Sequence, residues 1–425
     1  MTPGRRRSWM FFWLVAFVLV LLLVVLAVAA RSATTEPSRD LALVNGKVYP
    51  TPQAVPILDA NVIIHDGRIV AVGKDAEVPK SAYIIECAGR VIVAGFWNSH
   101  VHFTEDAWRE AATAPTGRLE EHMQAMLTKW GDTTVFDIGS NPQDTLAVRK
   151  RVESGEIAGP RIYTTAGAIY PENGIPVYLP KDLVPVLKPF EAATPADAAR
   201  LAKQSLEMGG DGIKLFAGAI VGHGKVTPMP VDVIRAAVEV AHAAGKPVFA
   251  HPSNHVGTDN ALAGGIDVLA HTIPMELDWT TEEVQRMKDQ HVALIPTLSL
   301  FPDEERKFGA SEGAKADVLA HAVAQLKNYF THGGTILFGT DVGYTQLYDT
   351  TSEYEYMGRA GMNFRDILAS LTTNPATFFK AGRTGKVVTG NAADLVVLDG
   401  DPAADVRNFA KVDYTIRAGT VIYKK

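Results

Sequence analysis

The sequence predicts an α/β fold: a (β/α)8 TIM barrel with a small β-sandwich domain built from both chain ends, preceded by an N-terminal hydrophobic helix. Three observations lead to this prediction. Eight short apolar runs, most of them separated by helical patterns, occupy the middle of the chain. Turn-rich β patterns flank that region on both sides, and a long apolar stretch lies near the amino terminus.

The first element is an uninterrupted apolar stretch over residues 10–30, preceded by three arginines at positions 5–7. This is about the length that a helix needs to span a bilayer, and small residues at 27–29 resemble a cleavage site. We expect residues 1–33 to be a signal peptide or a membrane anchor, with neither favoured. The positive-inside rule then predicts an exported protein, periplasmic or anchored to the outer face of the cytoplasmic membrane.

The two flanks of the central region have the pattern of hairpin-rich β structure. Residues 40–92 contain the turn pairs Asn45-Gly46 and Asp66-Gly67 between short β runs, and residues 385–425 show a similar texture. Because the termini of a domain often lie close together, one small β-sandwich domain assembled from both flanks is the economical interpretation.

The central region, residues 93–384, alternates strand-like and helix-like patterns. Helical periodicity appears at 117–130, 196–208, 231–244 and 313–329, and the second and third of these stretches follow a proline and end at Gly209 and Gly245. This alternation predicts a parallel barrel, in which catalytic residues gather at the carboxyl ends of the strands. The predicted strands are 91–98, 133–138, 161–166, 212–217, 247–251, 268–271, 293–298 and 335–340.

Residues able to bind metal lie at or near the ends of several of these strands. His100 and His102 end the first strand, and their spacing points both imidazoles to one face. His251, His271 and Asp341 end three later strands in the same way. Each alone is typical of an ordinary polar residue, but their shared position predicts a metal site at one end of the barrel.

A lysine lies inside another predicted barrel strand. Lys214 is flanked by Ile213 and Leu215, and a buried lysine is rare unless it is paired or used. A desolvating barrel lowers the pKa of a lysine, so Lys214 joins the candidate functional residues.

These features together resemble the amidohydrolase superfamily, in the branch of imidazolonepropionases and Xaa-Pro dipeptidases (prolidases). The resemblance covers roughly residues 41–425. The matching motifs are Asn45-Gly-Lys-Val, Asp66-Gly-Arg-Ile-Val-Ala-Val-Gly, Val93-Ala-Gly-Phe-Trp-Asn-Ser-His-Val-His, the Lys214 strand, His251, His271, Gly339-Thr-Asp341, Thr373-Asn-Pro-Ala and Gly390-Asn-Ala-Ala-Asp-Leu-Val-Val-Leu.

One position departs from the family pattern, which usually has an aspartate two residues before the first metal-binding histidine. This chain has Asn98 there. The change removes a charge and keeps hydrogen-bonding capacity, so we expect it to tune the site rather than abolish it.

The resemblance implies a metal centre with six ligands: His100, His102, Lys214, His251, His271 and Asp341. Two divalent ions, for which zinc is the best match to these ligands, would be bridged by carbamylated Lys214. His100, His102 and Asp341 would hold the more buried ion, and His251 and His271 the second. A mononuclear site made by His100, His102, His251 and Asp341 is the alternative.

The function expected from this site is hydrolysis of a carbon–nitrogen bond, amide or peptide, in a small substrate. Paired metals would activate a hydroxide, and Asp341 would carry the proton to the leaving nitrogen. The alternatives are an imidazolonepropionase-like cyclic amide hydrolase or a deaminase, and a non-catalytic barrel that serves as a scaffold.

Three polar residues in loops after strands are candidates for substrate binding: Tyr170, His223 and His255. An apolar loop wall after strands three and seven, with Arg109, Lys181 and Lys225 as anion binders, favours a dipeptide-like or N-acyl amino acid substrate with a carboxylate.

Composition limits the partners. A net charge of −6 gives no basic footprint for nucleic acid, so the expected partner is a small molecule or dipeptide. The membrane is a partner only if the N-terminal segment stays uncleaved, and a homo-oligomer is left open. The single cysteine, Cys87, excludes an intrachain disulfide and has no expected catalytic role.

Overall fold

A computed structural model gives the fold and describes residues 40–276, 278–307 and 309–425. The predicted N-terminal hydrophobic helix, and with it the signal-peptide or anchor prediction for residues 1–33, lies outside the described residues. Within the described part, no helix combines the length and apolar character needed to cross a membrane.

Five strands open the described chain. The second and third form a tight hairpin whose two turn residues, Asp66 and Gly67, both have positive φ, as an Asp-Gly turn favours. The strands are β1 (Leu41–Val48), β2 (Ile57–His65), β3 (Arg68–Gly73), β4 (Tyr83–Glu86) and β5 (Val91–Ala94).

The central region contains eight parallel barrel strands and two short side pairs, β9–β10 and β12–β13. Its strands are β6 (Phe96–Val101), β7 (Asp132–Asp137), β8 (Arg161–Thr164), β9 (Tyr170–Pro171), β10 (Glu191–Ala192), β11 (Ile213–Phe216), β12 (Gly218–Gly222), β13 (Lys225–Pro228), β14 (Val248–His251), β15 (Val268–Ala270), β16 (Ala293–Ile295) and β17 (Thr335–Ile336).

Backbone hydrogen bonds close these strands into a barrel. The runs β6–β7–β8 and β11–β14–β15–β16–β17 pair in parallel. The N–H of Ile169 donates to the carbonyl of Lys214 at 2.9 Å and joins the end of the first run to the second. The N–H of Ser99 donates to the carbonyl of Phe338 at 2.8 Å and joins β6 to the segment after β17. The predicted α/β barrel is confirmed.

Helices connect the barrel strands, and the four predicted helical stretches correspond to α1, α4, α5 and α9. Thr194 and Asp197 form a capping box at the start of α4, with a proline in its first turn. The helices are α1 (Thr116–Met126), α2 (Pro142–Glu153), α3 (Val184–Leu187), α4 (Pro195–Glu207), α5 (Val231–Ala243), α6 (His255–Gly264), α7 (Thr281–Asp289), α8 (Leu300–Lys307), α9 (Glu312–Thr331), α10 (Thr351–Arg359), α11 (Phe364–Leu371) and α12 (Thr373–Phe378).

Both ends of the chain build the second sheet. Its last strands are β18 (Leu395–Leu398), β19 (Val412–Arg417) and β20 (Thr420–Lys424), and β18 pairs antiparallel with β5. The sequence predicted a β-sandwich, whereas the strands form one hydrogen-bonded sheet in the order β20-β19-β18-β5-β1-β2-β3, with β4 also on β1. The sheet is continuous because one edge of β1 pairs with β4 through residues 41–44 and with β5 through residues 47–48.

An aromatic layer fills the barrel interior on the amino-terminal side of the predicted ligands. Trp97 stacks on Tyr163 and on Phe379, with ring centroids 5.7 Å apart in each pair. Phe136 packs against Phe249 at 4.7 Å and Phe379 at 5.2 Å. The barrel is therefore closely packed on this side of the predicted ligands.

Candidate metal centre

The barrel brings the six predicted metal ligands to one end. Lys214 lies within β11, and His251 is the last residue of β14. His100 is the penultimate residue of β6, while His102, His271 and Asp341 follow strands at their carboxyl ends. Parallel strands of a barrel present these ends at the same mouth, so residues far apart in sequence become neighbours.

Three of these residues form a tight cluster of ligand atoms. The Nε2 atoms of His100 and His102 lie 3.1 and 2.9 Å from Oδ1 of Asp341, and 3.2 Å from each other. Among the described residues, this is the group of His, Cys, Asp and Glu side chains whose ligand atoms converge closely enough to hold a metal ion.

Backbone contacts between the first and last barrel strands create this cluster. The N–H of Asp341 donates to the carbonyl of His100 at 2.9 Å, and that of His102 to the carbonyl of Val342 at 2.8 Å. Gly343 follows with a φ of +98°, and a Cβ there would lie 1.8 Å from the carbonyl oxygen of His102. A glycine is therefore required for the two segments to approach so closely.

The remaining predicted ligands lie beside the cluster. The ring of His271 is 4.6 Å from that of His100 and 4.7 Å from that of His251, measured between centroids. Its Nε2 atom is 3.9 Å from Oδ2 of Asp341. Lys214 is 2% exposed, and its Nζ lies 5.6 Å from the centroid of the Phe216 ring.

Several site residues have a left-handed backbone, which side chains with a Cβ rarely adopt. The φ values are +89° at His271, +46° at Thr297 and +60° at Asp341. Each such residue costs of order 1–3 kcal/mol unless its surroundings stabilise it. Strain concentrated at one end of the barrel is typical of a functional site.

Burial sets the protonation states that a metal needs. It lowers the pKa of His100 to about 3 and holds the pKa values of His251 and His271 well below the usual range. Burial would raise the pKa of Asp341, but the close contacts of its carboxylate with His100 and His102 keep it well below its ordinary value. Neutral imidazoles and an ionised carboxylate are the ligand forms.

Burial also favours the neutral form of Lys214. Burial lowers the pKa of Lys214 to about 8, although the charges of Asp341 and Asp137 oppose the shift. A substantial fraction of this amine is therefore neutral near physiological pH, which is the form that reacts with carbon dioxide.

The donor set and its spacing fit a divalent metal ion. Oδ1 of Asp341 is buried and has no hydrogen-bond partner within the described part of the chain. Ligand atoms about 2.0–2.1 Å from a tetrahedral zinc lie about 3.3 Å apart, close to the observed 2.9–3.2 Å. Two imidazoles and a carboxylate suit zinc and similar ions.

Residues that sequence reasoning missed support these ligands. Oγ1 of Thr297 lies 2.7 Å from Nδ1 of His271 and leaves Nε2 directed into the site. The fully buried Asp137 has an oxygen 3.9 Å from Nδ1 of His102. Asp137 ends a barrel strand, the same signal that identified Asp341, whereas nothing in the sequence marks Thr297.

Asn98, which stands where the family usually has an aspartate, has a structural role. The side-chain amide of Asn98 donates to Oγ1 of Thr340 at 2.9 Å, and its Oδ1 accepts from the N–H of Thr340 at 3.2 Å. Asn98 therefore ties β6 to the segment that carries Asp341.

The three candidate substrate-binding residues have different surroundings. Tyr170 is buried and stacks on Phe216, with centroids 4.8 Å apart. His223 is exposed at the turn of the β12–β13 hairpin. His255 starts α6, and its Nδ1 lies 2.7 Å from Oε1 of Glu283. The structure thus gives His255 a partner on the neighbouring helix α7.

The loop residues predicted to form an apolar wall and those predicted to bind anions differ in burial. Leu298 and Leu300 are buried in the main hydrophobic core. Arg109, Lys181 and Lys225, the suggested anion binders, are all exposed.

The comparisons with known proteins agree with this geometry. A model of the amidohydrolase family matches residues 91–422. An ochratoxinase from Aspergillus niger is 24% identical over 429 residues, covering 89% of this chain and 85% of that protein.

Solved structures share the fold. A Xaa-Pro dipeptidase with bound methionine in the active site has a TM-score of 0.76 at 21% identity, covering 91% of this chain and 100% of that one. A prolidase complexed with N-methylphosphonate-L-proline has a TM-score of 0.75 at 23% identity, with coverage of 91% and 100%. Because the family model spans most of the chain, the protein belongs to the amidohydrolase family and is a hydrolase that acts on carbon–nitrogen bonds.

Proposed function

We propose that this protein is an exported, metal-dependent amidohydrolase that cleaves an amide or peptide bond of a small substrate. The observation that carries the proposal is the convergence of His100, His102 and Asp341 beside His271 at one end of the barrel. Its relatives include enzymes named ochratoxinase, Xaa-Pro dipeptidase and prolidase, which supports a small substrate with a hydrolysable carbon–nitrogen bond.

The proposed cofactor is a pair of divalent ions, with zinc as the best match to the ligands. His100, His102 and Asp341 would hold one ion and His251 and His271 the other, with carbamylated Lys214 between them. The burial of Lys214 and its pKa near 8 support carbamylation, and the ring of His271 lies between those of His100 and His251. A mononuclear site with His100, His102, His251 and Asp341 is the rival.

Bound ions would supply Lewis-acid polarisation of the substrate carbonyl and would lower the pKa of a bound water. The chain itself contributes the proton path. Oδ1 of Asp341 faces the two histidines at 2.9 and 3.1 Å, whereas Oδ2 is 3.9 Å from His271. Oδ2 is therefore the oxygen of Asp341 that is proposed to accept the proton.

In the proposed reaction, Asp341 transfers one proton from water to the leaving nitrogen. The oxygen of one water molecule bonds to the carbonyl carbon, and Asp341 takes a proton from that water. The carbon–nitrogen bond then breaks, and Asp341 returns the proton to the leaving nitrogen. The products are a carboxylic acid and an amine, and no serine or cysteine nucleophile takes part. Cys87, the single cysteine, is buried in the second sheet, where burial raises the pKa of its thiol to about 12.

A substrate screen tests the proposal directly. Metal-loaded protein should be assayed against dipeptides including Xaa-Pro, N-acyl amino acids, lactams, imidazolones and aminated heterocycles. Turnover of linear amides or peptides is expected. Turnover confined to cyclic amides or to deamination would replace the proposal with the alternative enzyme. If the metal-loaded protein turned over none of these compounds, the proposal would fail.

Export is proposed from the sequence before the described residues. The arginines at positions 5–7 and the apolar stretch at 10–30 favour translocation of the barrel across the cytoplasmic membrane. A reporter fused after Lys425 should be active outside the cytoplasm, and the same fusion without residues 1–39 should stay inside. Cytoplasmic activity of the full-length fusion would contradict this prediction. Mass spectrometry of the native amino terminus would separate a cleaved signal from an anchor.

A further inference from the structure

Three residues from two loops and a helix meet beside the metal centre and have no role in the chemistry described above. Tyr178 lies in the loop after β8, Glu304 in α8 and Tyr344 in the loop after β17. The two tyrosine rings contact edge to face, with centroids 5.4 Å apart. The hydroxyl of Tyr344 donates to Oε1 of Glu304 at 2.8 Å. We call Tyr178, Glu304 and Tyr344 the mouth cluster.

The mouth cluster is connected to the metal centre through the turn after β17. The N–H of Tyr344 donates to the carbonyl of Asp341 at 3.2 Å, so the two residues share one turn. Burial is the largest cause of the raised pKa values of all three cluster residues, and the charge of Asp341 acts in the same direction on each. Since β8 and β17 are not neighbours in the barrel, the contact between Tyr178 and Tyr344 spans part of the mouth.

Glu304 differs from its acidic neighbour Asp303 in its charged partners. The adjacent Asp303 is paired with Arg306 and, at 2.9 Å, with Lys307. Glu304 accepts from the neutral hydroxyl of Tyr344, and within the described residues it forms no ion pair. Burial raises the pKa of Glu304 to about 7, and the charge of Asp341 adds to the shift. A carboxylate in this setting favours a cation that would neutralise it.

The two tyrosines of the mouth cluster, Tyr178 and Tyr344, also favour a cationic ligand. Tyrosine faces attract ammonium and guanidinium groups through the ring quadrupole. One example exists within the chain itself, because Nζ of Lys307 lies 5.0 Å from the centroid of the Tyr344 ring. Lys307 is bound to Asp303 and is partly exposed, so it does not fill the acceptor position on Glu304.

We propose that Glu304, framed by Tyr178 and Tyr344, is a specificity residue that binds the positively charged group of a cationic amide substrate. This inference rests on the proposed amidohydrolase function and narrows its substrate class. The cation is an ammonium or guanidinium group, carried either by a basic side chain or by a free amino terminus. The scissile carbonyl then lies at the metal centre while the cation lies at Glu304.

Matched substrate pairs test the proposal and distinguish the two sources of charge. Metal-loaded wild-type protein should be compared on dipeptides carrying lysine or its neutral analogue norleucine at each position. The same dipeptides should be compared with free and acetylated amino termini. We expect kcat/KM to favour one charged member by roughly tenfold to hundredfold, the effect of one charge-assisted contact.

The variant Glu304→Gln should remove this preference. It should lower kcat/KM for the charged substrate by roughly tenfold to hundredfold, chiefly through KM, and leave the neutral partner nearly unchanged. Glu305→Gln, a change of the neighbouring half-buried residue in α8, is the matched control and should keep the preference. Equal losses on charged and neutral substrates, or an unchanged preference, would overturn the role of Glu304.

A binding measurement keeps the inference separate from catalysis. Calorimetric titration of metal-loaded protein with L-lysine and L-norleucine reports cation binding without turnover. Tighter binding of L-lysine than of L-norleucine, or of L-norleucine than of hexanoic acid, which lacks the amino group, that is lost in Glu304→Gln supports the inference. If the wild type hydrolyses neutral amides and binds no cation preferentially, the inference fails while the proposed function stands. If no amide is hydrolysed, the proposed function fails, and unequal binding alone would show a cation site of another enzyme.

Discussion

Asp341→Asn is expected to lower kcat by roughly 10²–10⁴-fold, the usual cost of losing a general acid–base group. Asparagine keeps the shape and one oxygen, but it cannot carry the proton from water to the leaving nitrogen. The oxygen that faces His100 and His102 at 3.1 and 2.9 Å would remain a weak ligand. Steady-state kinetics on an amide that the wild type hydrolyses gives the measurement.

Metal content must be measured in the same preparation to separate two effects. Loss of metal together with activity would assign Asp341 as a ligand, whereas retained metal with low kcat would assign the proton role. Asp349→Asn, an exposed position in the same loop, is the control and should turn over normally. Near-normal kcat in Asp341→Asn would refute the proton-transfer assignment.

Lys214→Ala is expected to reduce bound metal from nearly two equivalents to one or fewer. Activity should fall by at least the roughly 10–100-fold that loss of an outer-shell partner already costs. The reason is that Lys214 is the residue proposed to bridge the two ions, from a position with 2% exposure. Elemental analysis and kinetics give the two readouts, and native mass spectrometry of the wild type should show the added mass of one carbon dioxide.

A surface lysine provides the comparison for this variant. Lys203→Ala, on the exposed face of α4, should leave metal content and rate unchanged. One equivalent of metal in the wild type, together with full activity in Lys214→Ala, would select the mononuclear site instead.

The gathering of the predicted metal ligands at one end of the barrel could be predicted because its signal is local. The two-residue spacing of His100 and His102 and the strand before His251 are visible in the sequence, and the barrel rule brings such strand ends together. Boundaries were less predictable. The predicted strand 293–298 ends at Ile295, since a proline follows and Thr297 adopts a positive φ.

The supporting residues could not be predicted, because their contacts cross between strands and loops. Thr297 reaches His271 from the segment after the neighbouring strand, and Glu304 in α8 meets Tyr344 in the loop after β17. His255 was predicted to bind substrate from its place after a strand, and nothing in the sequence indicated its contact with Glu283 on an adjacent helix. Side-chain direction decides such cases, and a single sequence does not give it.

The pairing of β5 with β18 has a consequence for biosynthesis. Val91 lies opposite Leu398, so this strand pair closes only after the roughly 300 residues between them have been made. Forming a contact between such distant positions carries a large loop-closure entropy, and topologies of this kind fold slowly. The amino-terminal strands, with apolar residues such as Leu43 and Ile92, emerge from the ribosome long before their partner. During synthesis the sheet is therefore incomplete, and the unpaired edge of β5 is a site that chaperones would need to cover.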